Sequence, residues 1–262
     1  MEISLIHKTD SFILCIILFV AMLVMFPLGR IAGTAWRRSE DEPKGGVSSI
    51  LSALFGLSAF VLAFTFGMSA SRYSNVREII VEEANDMGTA LLRSDLYSDS
   101  VRNEFRHDFK DYIEARLAYY NSIADTVLFN KAKRDAENAG NALWSRAIQQ
   151  SKLSNMLIPS NQMIPALNSM FDIATTIEMT LYARVPDLIV YMLFMLALVT
   201  SFIAGFTTSS GMRRKDWIII TMFALLSSMV IYVTLDLSRP MRGIIRADLG
   251  QQVILDLSRS IK

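Results

Sequence analysis

The sequence predicts an all-α integral membrane protein: four transmembrane helices, with a helical soluble domain inserted between the second and the third. Three observations lead there. Of the 262 residues, 52% are hydrophobic, slightly above the share found in soluble domains. These residues are gathered into four long uncharged runs rather than spread along the chain. Between the second and third runs lies a longer, charged stretch whose apolar residues recur at helical spacing. The expected domains are residues 1–71 (spans one and two), 72–184 (insert), 185–238 (spans three and four) and 239–262 (tail).

A helix of about 20 apolar residues covers the roughly 30 Å hydrocarbon core of a bilayer. The first run is Phe12 to Leu28, extendable through Gly29, with Thr9, Asp10 and Ser11 in front as N-cap candidates. The second spans Val47 to Ser71, and the third Leu188 to Met212, just after Val185-Pro186-Asp187. Trp217 to Leu235 is the fourth, with Trp217 at a boundary where interfacial tryptophan is favoured. Four such runs as buried helices of a soluble protein would leave too little polar chain to cover them. Ala32-Gly33-Thr34-Ala35 resembles a cleavage site after a secretory signal. The apolar stretch before it exceeds the usual signal length and its leading segment is poor in basic residues, so a retained span is expected.

Four crossings place both termini and the insert on one face. The short loops then carry Arg30, Arg37, Arg38, Lys44, Arg213, Arg214 and Lys215, against Lys8, Arg239, Arg242, Arg246, Arg259 and Lys262 on the tails. Seven against six leaves the orientation open, because a long insert counts little.

Within the insert, no proline occurs from Ala70 to Ile158. The second span is expected to continue as one helix through Leu92, with Ile79, Ile80, Glu83, Asp86, Met87, Ala90 and Leu91 in i, i+3, i+4 steps. Ser98 or Asp99 caps a second helix whose stripe is Val101, Phe105, Phe109, Tyr112, Ile113 and Leu117. A third, about 123–153, carries Val127, Ala136, Ala139, Leu143, Trp144 and Ala147. The segment Ile158-Pro159-Ser160-Asn161-Gln162 is expected to break the pattern, with Pro165 in the first turn of a fourth helix. After the last span, Asp236, Arg239, Pro240, Arg242, Gly243 and Arg246 mix charge with turn formers, which suggests a specified turn rather than an interfacial fringe.

Much chemistry is excluded. A net charge of +1 and a pI near 7.8 do not suit nucleic acid. The single cysteine, Cys15, can form no internal disulfide, and His7 and His107 are the only histidines. There is no GxxxxGKS/T loop, GxGxxG fingerprint, HExxH motif or GxSxG elbow. No cofactor and no enzymatic activity are expected. The best constellation is acidic: Glu78, Glu82 and Asp86 at i, i+4, i+8, with Glu83 alongside. A carboxylate metal site would need ligands from another helix, usually including a histidine at ExxH spacing, which is absent. A salt-bridged face with Arg72, Arg77 or Arg93 is the simpler reading.

The second span carries the sharper feature. Gly56, Phe60, Phe64 and Met68 repeat every four residues, with Ala59, Ala63 and Gly67 on a neighbouring strip. Lipid contact or core packing is one reading of these rings. Around a shared axis, several copies would instead stack them into a hydrophobic constriction of the kind that gates by dewetting. The small residues would let the helices approach closely.

These segments carry a resemblance. Ala63-Phe64-Thr65-Phe66-Gly67-Met68 with Ser71-Arg72-Tyr73, Val81-Glu82-Glu83-Ala84-Asn85 with Gly88-Thr89, Leu92-Arg93-Ser94-Asp95-Leu96, and the ending Leu235-Asp236-Leu237-Ser238-Arg239-Pro240 with Arg242-Gly243 resemble the bestrophin-like family of bacterial membrane proteins. More distantly, Ala59-Phe60-Val61-Leu62-Ala63-Phe64 is similar to the pore neck of bestrophins, which are pentameric ion channels. There, three apolar positions at four-residue spacing ring the pore. Two carry over as Phe60 and Phe64, while the preceding one falls on Gly56, a departure that widens one ring. The tryptophans usual after the neck and the acidic calcium clasp of animal bestrophins have no counterpart. The resemblance implies a homo-oligomer in the bacterial inner membrane that handles inorganic ions, with insert and termini cytoplasmic. Glu78, Glu82 and Asp86 would then serve subunit contacts or bias permeation. The alternative is a non-conducting scaffold or sensor whose insert binds a partner protein.

Overall fold

A computed structural model describes residues 10–37, 46–123, 125–182, 186–208, 214–239 and 248–261. Among them every regular element is helical. In chain order these are α1 (Ser11–Arg37), α2 (Gly46–Arg93), α3 (Asp99–Asn121), α4 (Thr126–Ser151), α5 (Leu157–Tyr182), α6 (Asp187–Thr207), α7 (Arg214–Leu237) and α8 (Asp248–Ser260). A single 3-10 turn, Ser94–Leu96, follows α2. By length and composition α1, α2, α6 and α7 can each cross a membrane.

Backbone contacts divide the chain into two units. One comprises Met1–Arg72 and Arg184–Ser238, the other Tyr73–Ala183 and Arg239–Lys262. Residues of α2 belong to both. This helix has 48 residues and is about 72 Å long at 1.5 Å per residue, far beyond what one bilayer needs. Its uncharged part is the expected span, Val47–Ser71.

In the first unit, α1 begins on Asp10, whose carboxylate accepts the Phe12 N–H at 2.8 Å. The helix runs through Pro27 to Arg37, eight residues past Gly29. Ala32–Ala35 is therefore helical, not an extended cleavage segment. α1 and α6 meet at backbone distance. A Cβ placed on Gly29 would lie 1.9 Å from the Phe202 carbonyl oxygen, one on Gly33 2.4 Å from that of Phe206, and one on Gly205 1.9 Å from that of Phe26. Only glycine permits such approach. Ser201 adds a hydrogen bond from its hydroxyl to the Met22 carbonyl at 2.6 Å. Leu18, Met22, Val190, Ala197, Ala224 and Ile231 fill the space among α1, α6 and α7. α6 ends five residues before the expected Met212. The hydroxyls of Thr207 and Thr208 both donate to the Ala204 carbonyl, so side chains take over from the backbone ladder and the helix stops. Residues 209–213 lie outside the described residues.

In the second unit, the stripe expected on α3 is buried at Phe105, Phe109, Tyr112 and Ile113, with Val101 and Leu117 packed at its edges. Asp125 caps α4, accepting from the Val127 and Leu128 N–H groups. Val127 itself is exposed, contrary to the expected stripe, because at 100° per residue it lies on the side of α4 opposite the buried Ala136, Leu143 and Ala147. Arg146 of α4 pairs with Asp108 at 2.5 Å and with Glu104 on α3, and its pKa is raised chiefly by the Asp108 hydrogen bond. Lys133 pairs with Glu178 on α5.

One boundary differs clearly from expectation. α5 starts at Leu157, so Ile158 to Gln162 is helical and Pro165 lies inside the helix. Pro159 occupies the first turn, where no backbone N–H is needed. The first helical bond runs from the Ser160 N–H to the Met156 carbonyl. Finally, α8 returns to this unit: Ile254 is fully buried in its core, with Leu257 packed beside it near Gly88.

Candidate functional site

The two sides of α2 within the first unit differ sharply. Phe55, Ser58, Leu62, Thr65 and Ser69 alternate in steps of three and four, the spacing of one continuous packing seam. Phe55 meets Phe223 of α7 edge-to-face at 4.9 Å. The hydroxyls of Ser58 and Thr200 of α6 are 3.0 Å apart. Leu62 packs on the apolar core of the unit, and Thr65 and Ser69 are buried.

Opposite this seam stand Gly56, Phe60 and Phe64. Phe60 is 69% exposed, Phe64 62% and Met68 38%, a graded series with a geometric cause. Each four-residue step turns about 40° around the helix. Phe60 lies almost diametrically opposite the seam, Phe64 slightly off, and Met68 about a quarter-turn from it. The Phe60 and Phe64 rings stack at 6.5 Å with 14° between their planes. A Cβ on Gly56 or Gly67 would meet nothing within 4 Å. The structure thus brings Phe60 and Phe64 together on an open face and sets Met68 at its margin.

Exposure also separates α2 from the other spans. Within its most apolar window only 6% of residues are buried, against 28% in α1 and 33% in each of α6 and α7.

The acidic residues of α2 divide between two sides of the helix. In the second unit Val76, Ile80, Glu83, Met87 and Ala90 form the buried seam of α2. Glu78 and Glu82 are exposed and Asp86 is half-buried. Burial first, and then the charge of Glu82, raises the Asp86 carboxyl above its ordinary 3.8. Glu83 is turned into the core at 0% exposure, where the Arg116 Nε donates to its Oε1 at 2.5 Å. The Tyr120 hydroxyl donates to its other oxygen, and Arg116 Nη2 donates to that hydroxyl at 3.3 Å. The guanidinium also lies over the rings of Tyr119 and Tyr120, at 4.6 and 5.3 Å. Burial pushes the Arg116 pKa down, yet the Glu83 carboxylate and neighbouring tyrosines raise it overall. Burial raises Tyr112 and Tyr120 as well, so both phenols stay neutral. Arg72, Arg77 and Arg93, the expected partners of the acidic face, do not supply this pair.

Sequence reasoning missed Arg116. The signal was present: continuing the stripe of Phe109, Tyr112 and Ile113 by one turn lands on Arg116 and then Tyr120. A lone cation in one apolar seam and a lone anion, Glu83, in another point to each other. Of the turn after the last span, Asp236 is buried at the end of α7, where the Ser238 hydroxyl closes onto the Leu235 carbonyl at 2.7 Å. Arg239 follows it, half-buried. Pro240, Arg242, Gly243 and Arg246 lie outside the described residues.

Comparison with known proteins bears on this geometry. The model of the Bestrophin-like domain matches residues 15–249. Among solved structures, a bacterial bestrophin homolog from Klebsiella pneumoniae carrying one substitution is similar, with a TM-score of 0.70 at 12% identity over 96% of this chain and 99% of its own. The homolog from the same organism solved by zinc phasing gives a TM-score of 0.68 at 12% identity, over 93% and 98%. At that identity the likeness is one of fold. A search of curated proteins returns no match to the sequence. With the family model spanning nearly the whole chain, the chain belongs to the Bestrophin-like family.

Proposed function

We propose that the protein is a homo-oligomeric ion channel, a pentamer in which α2 of each copy faces the shared axis. The observation that carries this reading is the open side of α2. It is the least covered of the four spans, and the surface it presents is the Phe60–Phe64 stack with Met68 at one end and Gly56 at the other. Lipid alone would be an adequate cover for those rings. Family membership favours the axis instead, since it adds copies of the same helix as the natural cover.

In this arrangement Phe60 and Phe64 form two stacked apolar rings, a constriction that excludes water until it widens. Gly56 leaves the third position open. The helical unit of residues 73–183 forms a vestibule in the cytoplasm, together with the tail helix. Glu78 and Glu82, exposed in the single chain, serve contacts between copies or concentrate cations beside the passage.

Purified protein in liposomes tests this. Wild-type protein is expected to pass monovalent ions, and Phe60→Ala with Phe64→Ala is expected to raise the flux severalfold by widening the neck. Unchanged flux in the double variant removes the neck assignment. The scaffold reading draws on Val127 and Leu128, apolar and exposed at the start of α4. It predicts no flux from either protein.

A further inference from the structure

Between α3, α4 and α5 the second unit leaves a cavity of about 430 Å³, within the size range of small-molecule sites. Tyr112, Tyr119 and Phe171 supply ring surface to it. Small residues keep it open: Gly140 and Ala174 line the wall, and a Cβ at Gly140 would press to 3.1 Å from Phe171 Cε1. The ring surface can hold the apolar body of an organic molecule, while Asn141, Thr175 and the charged side chains make the rest of the lining polar. A bare inorganic ion would leave most of the volume unfilled.

The polar end is set by Arg116. It lines the cavity while being only 5% exposed, and its counter-ion Glu83 is not among the lining residues. A guanidinium has five N–H donors. Here Nε is used by Glu83 and one Nη2 donor by Tyr120, while Nη1 donates to no described residue. Nη1 is not fully sealed from solvent, so an acceptor entering the cavity can reach it. Of the other charged lining residues, Lys133 and Glu178 pair with each other and Glu137 adds one negative charge, so an anionic group can be held only at the Arg116 end. The inner end thus offers a forked cationic donor, which matches a carboxylate in shape and charge.

We propose that this cavity binds a small organic carboxylate, its carboxyl group on the free edge of Arg116 and its apolar body against Tyr112, Tyr119 and Phe171. The site is independent of the channel reading, since binding is measured without membrane or ion flux.

Phenylacetate serves as the probe, titrated calorimetrically into the intact detergent-solubilised protein, with benzylamine as the same ring bearing the opposite charge. Saturable binding of phenylacetate is expected, with benzylamine at least about tenfold weaker. Ala174→Leu fills the cavity without touching the Glu83 pair, and Arg116→Lys keeps the charge beside Glu83 but removes the fork. Each is expected to weaken phenylacetate by about tenfold or more. Absence of saturable binding, equal binding of benzylamine, or wild-type affinity in either variant would overturn the proposal. Should a variant fail to fold, the comparison of the two probes on wild-type protein still decides.

Discussion

Glu83 and Glu82 are chain neighbours with opposite fates, and the difference is a matter of 100° of helix. Glu82 projects into solvent, whereas Glu83 falls in the seam with Ile80 and Met87 and must find a partner there. Removing one member of a buried pair strands the other charge, so Glu83→Ala is expected to cost about 3–5 kcal/mol. Glu82→Ala, on the exposed side, should stay within about 0.5 kcal/mol. Denaturant midpoints of the two purified variants check the contrast. Asp86 provides a test of sign. Its carboxyl is raised above 3.8, so the folded state disfavours the charged form. That penalty is fully present above the raised pKa and is relieved as pH falls through it. Asp86→Asn should therefore raise the thermal midpoint near neutral pH, and the gain should shrink as pH falls through the raised pKa and be lost below about pH 3. A gain independent of pH would show another cause. At this scale the periodicity of α2 and α3 was readable in the sequence, and Phe60 and Phe64 stand on the face it indicated. The Glu83–Arg116 pair was not read, because pairing depends on which seam meets which, and helical spacing alone does not say.

Among elements, the closest packing is between α1 and α6, and it rests on Gly29, Gly33 and Gly205. Inside a bilayer helices gain no hydrophobic driving force from one another, so close approach and hydrogen bonds such as Ser201 to Met22 carry the association. A methyl at position 205 would sit inside the Phe26 carbonyl oxygen, and the helices would have to separate. Gly205→Ala is expected to lower stability by about 1–3 kcal/mol, the usual cost of overpacking, read as a fall in the thermal midpoint in detergent. By contrast, Gly56→Ala meets open space in the single chain and should change that midpoint little. Element identity was legible from apolar runs and their lengths. The ends were less so, for local reasons: Pro159 tolerated in a first turn began α5 early, and the threonines at 207 and 208 ended α6 early. The docking of α8 through Ile254 was not legible, since its buried face is short and its partner lies far away in the chain.

For the whole molecule, the question is what covers α2. A single copy leaves Phe60 and Phe64 bare while burying its other three spans several times more fully. In the proposed channel, further copies of the same chain cover that face. The proposed roles of the exposed Glu78 and Glu82 belong to that assembly, which a single chain's sequence does not display. Cross-linking in the native membrane tests the arrangement most directly. In a Cys15→Ser background each chain of Phe64→Cys carries a single thiol, so a short bismaleimide should convert much of the protein to covalent dimers. Ile218→Cys, on an exposed apolar face of α7, should remain monomeric under the same treatment. Dimers from Phe64→Cys alone are the predicted result; Phe64→Cys remaining monomeric alongside Ile218→Cys would contradict a shared axis.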